Sequence, residues 1–261
     1  MSNRASGARV DAGAVEPPPD LRDVVEAFWF GRWDLPPDAP HVTELLGDPC
    51  AHVVVERGTP PRVVGTWRRR WIRELAGRGL VRAAKLRAGA VRAFFDVEAV
   101  TLSDRLTPLS ALVPVEIEAL AAAVLGPEAD VDGFEALADA LRAWRRPDPE
   151  SEVAAAVEVA ARLREVDLHR VEDLADRSGL GVRTLQRLFR RHVGATPKQL
   201  LRRVRLQEAA LRIERGEGLG LAALAADLGY ADQAHLNRDF KQVVGKTPRA
   251  LERSLRAPGR G

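Results

Sequence analysis

The chain has 261 residues, 46% of them hydrophobic and 30% charged, which allows two globular domains and is typical of a soluble protein. Its single cysteine excludes an intramolecular disulfide, and the sequence contains neither a bilayer-spanning apolar run nor a signal-peptide core. We therefore expect a cytoplasmic protein that does not associate with membranes.

Charge is divided unevenly along the sequence. Residues 151–261 contain 21 lysines and arginines against 14 acidic residues, whereas residues 1–150 contain 19 against 23. Because clustered cations attract phosphate groups, this asymmetry favours nucleic-acid binding by the C-terminal half.

The N-terminal part begins with residues 1–20, which are rich in glycine, alanine and proline and lack periodicity, so we predict a disordered tail. The aromatic run AFWF and a series of short extended segments predict a small β-rich domain over residues 21–112. The extended segments are 50–56, 62–68, 71–76 and 80–87, and residues 77–79 are expected to join the last two as a hairpin.

Residues 113–147 change to a helical period and are predicted to form connector helices. Their apolar faces favour packing on the β-rich domain, with pairing between two copies of the chain as the alternative. The proline-containing sequence at 147–149 is expected to end this segment, and a helix over 150–165 would begin the next domain.

The sequence LADRSGLGVRTLQRLFRRHVGATP at 174–197 returns in altered form as LAADLGYADQAHLNRDFKQVVGKTP at 224–248. Each copy predicts a short helix, a tight turn after a glycine, and a longer helix capped by Gly194 or Gly245, which together make a helix-turn-helix unit. The expected fold class is therefore α+β. The β-rich domain and connector helices precede an all-α domain over 148–256 with two such units, and residues 257–261 form a short tail.

Basic and amide side chains occupy the outward face of each longer helix. Arginine, glutamine and asparagine can pair bidentately with guanine and adenine edges in the major groove of DNA. A solvated surface is the usual role of a charged helix face, but its repetition here favours DNA contact. The outward residues are Arg183, Gln186, Arg187 and Arg190 in the first copy, and Ala234, Asn237, Arg238 and Lys241 in the second.

A further helix is predicted between the two copies, with Thr196 as N-cap, Pro197 at its first position and Gly216 after its end. Its length of roughly 28 Å is close to the roughly 34 Å between successive major grooves on one side of DNA. Apolar residues on two sides predict a spacer that is packed on both flanks. They are Leu200, Leu201, Val204 and Leu211 on one side, and Leu206, Ala209, Ala210 and Ile213 on the other.

Through LQRLFRRHVGATP, RLQEAALRI and GYADQAHLNRDFKQVVGKTP, in this order and at this spacing, residues 150–255 resemble the AraC/XylS family of bacterial transcription regulators. The resemblance implies sequence-specific binding of double-stranded DNA. RNA polymerase and a second copy of the chain are further candidate partners, but two units in one chain can bind DNA without a second copy. It implies base-facing positions at Arg183, Gln186, Arg187, Gln233, Ala234, Asn237 and Arg238, and phosphate contacts at Arg190, Lys198 and Lys241.

The motifs AFWF and DPCAHVVVE and the run from KLRAG to LSDR resemble the sensor domains attached to some members of that family. This resemblance implies control by a small-molecule effector or a partner. Because small-molecule sites are mostly apolar, the aromatic residues of this domain are candidates for an effector pocket. Their alternative role is packing in the domain core. The candidates for the wall of an effector pocket are Trp29, Phe30, Trp33, Cys50, His52 and Trp67.

Two other functions remain open at this point. Cys50 and His52 point to the same side of a predicted strand, which suits a zinc or redox sensor, or a nucleophile and its base in an enzyme–regulator fusion. A half-buried strand that holds a small apolar cysteine is the ordinary alternative. An effector-independent DNA-binding protein is the second alternative function. The sequence lacks a Gly-rich phosphate loop, a nucleophile elbow and a His-Glu-x-x-His motif, so we expect no catalytic site, metal or cofactor.

Overall fold

The computed structural model of the protein describes residues 9–36, 38, 40–46, 49–68, 70–147, 150–165, 168, 170–216 and 220–256. The chain divides into two compact units. The N-terminal unit consists of Met1–Ala161 and Gln186–Ala195, and the C-terminal unit of Arg162–Leu185 and Thr196–Gly261. The predicted tail at 257–261 lies outside the described residues.

The N-terminal unit is built on antiparallel strands. A six-stranded sheet has the order β1-β2-β7-β4-β5-β8, and β3 pairs with β6 in a separate two-stranded sheet. The strands are β1 (Arg9–Val15), β2 (Val25–Asp34), β3 (His41–Leu46), β4 (His52–Glu56), β5 (Thr59–Val64), β6 (Arg70–Leu75), β7 (Arg78–Leu86) and β8 (Leu106–Pro108).

β1 corrects the predicted tail, because it lies within the range that was expected to be disordered. It forms an edge of the large sheet and pairs along its whole length with β2, from Arg9 opposite Asp34 to Val15 opposite Phe28. Main-chain pairing does not require apolar side chains, so the sequence RVDAGAV carries only a weak strand signal. Residues 1–8 are outside the described part of the chain.

The predicted hairpin between β6 and β7 is wrong. The chain does turn tightly between them, where Gly77 adopts a φ of +58° that favours glycine. However, β6 pairs with β3, whereas β7 lies between β2 and β4 in the other sheet. A turn sequence predicts a change of direction and does not determine the partner of the strand that follows.

Four helices accompany the sheets in the described part of the N-terminal unit: α1 (Ala99–Leu102), α2 (Ile117–Leu125), α3 (Asp130–Trp144) and α4 (Glu150–Ala161). One face of the large sheet packs against α2 and α3 to form the main core. The ring of Phe28 on β2 lies 5.6 Å from that of Phe134 on α3. The predicted packing of the connector helices on the β-rich domain is thereby confirmed.

The helix α4 was expected to open the C-terminal domain, but it belongs to the N-terminal unit. Val153 is buried in the main core, and the turn after β7 approaches the backbone of the helix closely. A Cβ atom on Gly89, which has a φ of +100°, would lie 2.8 Å from the carbonyl carbon of Ala156. Asp148 and Pro149, part of the predicted boundary, lie outside the described residues.

The C-terminal unit is helical, as predicted, which confirms the α+β class. Thr196 and Gln199 form a reciprocal capping box at the start of the connecting helix, and Pro197 occupies its first turn. The helices are α5 (Val171–Arg177), α6 (Val182–Leu188), α7 (Pro197–Glu214), α8 (Leu221–Asp227), α9 (Gln233–Val244) and α10 (Pro248–Arg256). The last residues of α6 and the π-helical turn Phe189–Val193 that continues it are counted with the N-terminal unit.

One flank of α7 forms the core of the second helix-turn-helix unit. Leu206 and Ala209 are fully buried there against residues that include Leu224, Leu236 and Phe240. Leu211, predicted on the other buried flank, is instead 44% exposed. No helix of the described residues is long and apolar enough to cross a membrane.

Candidate nucleic-acid interface

The two helix-turn-helix units close their turns with the same main-chain hydrogen bonds. In the first, Gly179 adopts a φ of +64° and the N–H of Leu180 donates to the carbonyl of Ala175 at 2.9 Å. In the second, Gly229 has a φ of +69° and Tyr230 donates to Ala225 at 2.8 Å. The sequence repeat is therefore a repeat of backbone geometry, and the glycine is required because a side chain is strained at positive φ.

In the first helix-turn-helix unit, the longer helix is amphipathic, as predicted. Leu185 and Phe189 are fully buried. Arg183, Gln186 and Arg187 are exposed, and no described residue pairs with the guanidinium group of either arginine. Their hydrogen-bond donors are therefore available to another molecule.

In α9, the longer helix of the second unit, Leu236 and Phe240 are fully buried, while Ala234 and Arg238 are exposed. No partner of Arg238 exists among the described residues. Gln233 and Asn237 are half-buried, and the side-chain oxygen of Asn237 is shielded from solvent without a hydrogen-bond partner. The second helix therefore presents fewer freely exposed polar groups than the first.

The two longer helices end differently. Gly194 and Gly245 both cap their helix in the left-handed region, with φ of +89° and +88°. The N–H of Gly245 bonds to the carbonyl four residues earlier, at Lys241, as in an α-helix, whereas that of Gly194 bonds five residues earlier, to Phe189. The wider π-helical turn before Gly194 is a local distortion of a kind that often marks a functional position.

The end of the first longer helix is held by elements of the N-terminal unit. The hydroxyl of Ser103 donates to the carbonyl of Gly194 at 2.5 Å, and that of Thr66 donates to the carbonyl of Val193. Both hydroxyl residues are buried. These bonds satisfy carbonyl groups that the end of a helix leaves without partners, and sequence patterns gave no indication of them.

The two residues before Val193 in the same turn lie beside α4. Arg191 makes an ion pair of 3.1 Å with Glu152, and the Nε2 atom of His192 lies 3.5 Å from the same carboxylate. The side chain of His192 is only 1% exposed. Burial, reinforced by the positive charge of Arg92, lowers the pKa of His192 below its ordinary value.

The connecting helix α7 carries arginines that sequence reasoning did not single out. Arg202 makes a bidentate pair with Asp239 of α9 and also donates to Gln242 at 2.6 Å. Arg205 donates to the carbonyl of Leu228 at 2.9 Å and lies over the ring of Tyr230. These guanidinium groups position the second helix-turn-helix unit. The spacing of Arg202 and Arg205 along one side of α7 was the sequence signal that could have identified them.

The residues predicted to contact phosphates are all at the surface. Lys198, at the start of α7, and Lys241, on α9, are exposed. Arg190 is also exposed, and its Nε atom lies 3.5 Å from the carboxylate of Glu98. Such an exposed, long pair contributes little to stability, so Arg190 can exchange partners readily.

The candidate effector-pocket residues do not form one group. Trp29 donates from Nε1 to the Nδ1 atom of His52 at 3.0 Å, and Trp33 lies on the same sheet face. Phe30 lies on the opposite face, against the main core, because side chains alternate along a strand. Trp67 stacks edge-on with Trp71 at 4.5 Å.

The sheet face that holds Trp29 also carries a buried ion cluster. The carboxylate of Glu56 is paired with both Arg62 and Arg73. Burial by itself would raise the pKa of Glu56, but the hydrogen bonds from Arg73 and Arg62 outweigh it and hold the pKa below its ordinary value. The guanidinium of Arg73 also lies over the ring of Trp33 at 5.5 Å, so β6 covers part of this face.

Cys50 does not have the surroundings of a reactive thiol. Its side chain is buried, and its Sγ atom lies 3.6 Å from a carboxylate oxygen of Glu26. The predicted base, His52, instead accepts a hydrogen bond from Trp29. In the part of the chain that the structure describes, no group of three or more candidate ligand side chains is arranged for a metal ion.

Comparison with known families gives two matches. A family described as "Helix-turn-helix domain" matches residues 174–254, which span both repeat units. A family described as "Domain of unknown function (DUF6597)" matches residues 14–108, which cover most of the strands.

Curated relatives match over about a third of this chain. The HTH-type transcriptional activator RhaS of Pectobacterium carotovorum is 35% identical over 78 residues, which are 30% of this chain and 28% of that protein. A putative AraC-like transcription regulator of Streptomyces lividans is 36% identical over 78 residues, 30% of this chain and 25% of its own length. The chain thus matches only about a quarter of the length of these relatives.

Two solved structures illustrate the structural comparison. The DNA-binding domain of AdpA in complex with a target DNA is 29% identical, with a TM-score of 0.35 over 38% of this chain and 91% of that one. ToxT of Vibrio cholerae O395 bound to (E)-4-(8-methylnaphthalen-1-yl)but-3-enoic acid is 11% identical, with a TM-score of 0.39 over 96% of this chain and all of that one. At these TM-scores the structures add nothing to the sequence matches.

Proposed function

We propose that this chain is a transcription regulator of the AraC/XylS family that binds specific sequences of double-stranded DNA, because a helix-turn-helix family matches residues 174–254 and the transcriptional activator RhaS is similar over 78 residues. The observation that carries the proposal is the pair of repeated amphipathic helices. Each has an apolar face buried in its unit and presents outward arginine and amide side chains, among which Arg183, Arg187 and Arg238 are unpaired among the described residues.

In the proposed mechanism, bases and phosphates are recognised by different residues. Arg183, Gln186 and Arg187 of the first helix, with Gln233, Asn237 and Arg238 of the second, contact base edges in two successive major grooves. Lys198, Lys241 and Arg190 attract phosphates irrespective of sequence.

We infer an asymmetry between the two helices. The exposed Arg183 corresponds to the exposed Ala234 in the second copy, and Asn237 is half-buried. The first helix therefore supplies most of the polar base recognition, and the second relies more on thymine methyl groups and on the DNA backbone.

Regulation is proposed to come from the N-terminal unit, which binds a small-molecule effector. Hydrogen bonds from Thr66 and Ser103 join elements of that unit to the end of the first longer helix. A ligand that alters those elements would change the position of the groups that contact DNA.

The test is an in vitro selection of DNA sequences by the full-length protein, compared with the double variant Arg187→Ala/Arg238→Ala. We expect two short submotifs about 10 to 10.5 base pairs apart, both lost in the variant. Arg187→Ala alone should cost about 1 to 3 kcal/mol and relax preference at one base, whereas Lys198→Ala should weaken all sequences alike and reduce the salt slope by about one.

A matched control removes the same charge elsewhere. Arg57→Ala/Arg78→Ala deletes two exposed arginines from the strand region of the N-terminal unit, so it should leave the selected motifs unchanged. Selection of the same motifs by the Arg187→Ala/Arg238→Ala protein would contradict the proposed roles. Equal relaxation by Asn237→Ala and Arg187→Ala would contradict the asymmetry.

A further inference from the structure

A cavity of about 550 Å³ lies within the N-terminal unit, on the outside of the six-stranded sheet. It is formed where the start of β2, the end of β7 and the end of α3 meet α4. Four arginines line it: Arg22, Arg87, Arg145 and Arg146. None of the six candidate pocket residues from the sequence lines this cavity.

Two acidic residues, Asp23 and Glu158, line the cavity as well, and three of its four arginines pair with a carboxylate. Arg145 is neutralised by a bidentate pair with Asp23, at 2.5 and 3.2 Å, and this pairing lowers the pKa of Asp23. Arg87 donates from Nε to the carbonyl of Arg22 at 2.6 Å, but among the described residues no carboxylate pairs with it.

Arg146 has an exposed partner. Its buried Nη1 atom lies 2.9 Å from the carboxylate of Asp96, whose side chain is 76% exposed, but this ion pair lacks the geometry of a hydrogen bond. Arg87 therefore retains free donors, and Arg146 has only an exposed carboxylate as its partner.

The remaining wall is apolar. Val24, Ala93 and Val153 are almost completely buried, and Val157 and Ala154 of α4 complete the lining. The volume lies in the range of small-molecule sites, which combine an apolar wall with a few polar groups. Arginine side chains bind carboxylates through two parallel hydrogen bonds, so the combination favours a carboxylate attached to a compact apolar body.

We propose that this cavity is a binding site for an organic carboxylate with an aromatic or branched apolar body. Arg87 and Arg146 bind the carboxylate, and Val24, Ala93 and the apolar residues of α4 contact the apolar body. Arg145, already paired with Asp23, maintains the shape of the entrance.

The site is connected to the DNA-reading region through α4, and this second step rests on the proposed function. Val153, Ala154 and Val157 of α4 line the cavity, while Glu152 of the same helix contacts Arg191 and His192 at the end of the first longer helix. A ligand that shifts α4 would therefore change the support of that helix end.

The binding test uses isothermal titration calorimetry of the full chain with 2-naphthoate, and with 2-naphthamide as its uncharged counterpart. Ala154→Trp fills the cavity from an exposed position of α4, and Ala155→Trp, at the next exposed position, is its matched control. Arg87→Gln removes the unpaired cation, and Arg78→Gln removes an exposed arginine elsewhere in the unit.

We expect saturable binding of 2-naphthoate that Ala154→Trp and Arg87→Gln each weaken about tenfold or more, and that neither control changes. The amide should bind at least about tenfold more weakly than the acid. Absence of saturable binding, or equal affinity for acid and amide, would overturn the proposal. Undiminished affinity in Ala154→Trp, or loss of binding in Trp29→Ala instead, would also overturn it by placing the ligand elsewhere.

The connection to DNA is measured separately, as the change in affinity for a selected DNA site when 2-naphthoate is added. Glu152→Gln should preserve naphthoate binding and abolish that change. A change that persists in Glu152→Gln, or none in the unaltered protein, would overturn the route through α4. Because calorimetry requires no DNA, failure of the regulator proposal and failure of the cavity proposal give different results.

Discussion

Arg82 is a fully buried charged side chain whose partners explain how the helices α2 and α3 are fixed to the sheet. From β7 it pairs with Asp130 at 2.9 Å and donates to the carbonyls of Val124 at 2.7 Å and Pro127 at 3.0 Å. A Cβ atom on Gly133 would lie 2.3 Å from its Nη1 atom, so that position must be glycine. The guanidinium of Arg82 thus donates to a carbonyl at the end of α2 and pairs with the carboxylate of Asp130 at the start of α3.

We predict that Arg82→Met decreases the free energy of unfolding by about 3 kcal/mol, because it leaves Asp130 and the helix-end carbonyls without this buried donor. This loss of free energy is at the lower end of the range for a broken buried ion pair, because Arg32 still pairs with Asp130. Denaturant unfolding measures the loss. Arg78→Met, on the same strand but exposed, should change stability by less than about 0.5 kcal/mol. Similar losses in the two variants would contradict the assigned role.

His192 makes the stability of the N-terminal unit depend on pH. Its pKa is lowered by burial and by Arg92, so below its ordinary pKa of about 6.5 the unfolded chain binds a proton that the folded chain does not. This contribution to stability is therefore complete above about pH 6.5 and decreases as the pH falls. We predict that His192→Gln reduces the loss of unfolding free energy between about pH 8 and pH 5.5. Identical losses in both proteins would show that His192 is not the source.

At the scale of secondary-structure elements, the ends of the two longer helices offer a comparison within one chain. Both are capped by a glycine of nearly the same φ, but Gly194 is buried, whereas Gly245 is half-buried. A Cβ atom on Gly194 would lie 2.6 Å from the Oγ of Ser103 and 2.8 Å from the carbonyl oxygen of Ala99. The same cap thus has two different surroundings.

We predict that Gly245→Ala costs about 1 kcal/mol, the ordinary penalty for a left-handed alanine. Gly194→Ala should cost more, because it adds a steric conflict with α1 to the same backbone penalty. The readout is the denaturant unfolding of the full chain for each variant. A cost of Gly194→Ala no larger than that of Gly245→Ala would refute the close contact with α1.

At the scale of the whole molecule, the features that could be predicted from the sequence are those that local patterns determine. Helical periods, the cap at Thr196 and the paired glycines identified the C-terminal helices and the outward arginines. The edge strand β1 was missed because it depends on main-chain pairing with β2. The partner of β6 and the bonds from Thr66 to Val193 and from Ser103 to Gly194 join residues far apart in sequence, so no local pattern contains them.

The division of the first longer helix between two compact units bears on how such a protein can be dissected. A fragment that begins after α4 would keep both helix-turn-helix sequences and all of residues 174–254, which match the helix-turn-helix family. It would nevertheless expose His192 and Val193, which are each 1% exposed in the whole chain, and leave the carbonyls of Val193 and Gly194 without their hydroxyl donors. The proposed DNA-binding region therefore does not include all of the contacts that support its first longer helix. A chimaera that retains its specificity would have to carry α1, the loop after β5 and α4 along with it.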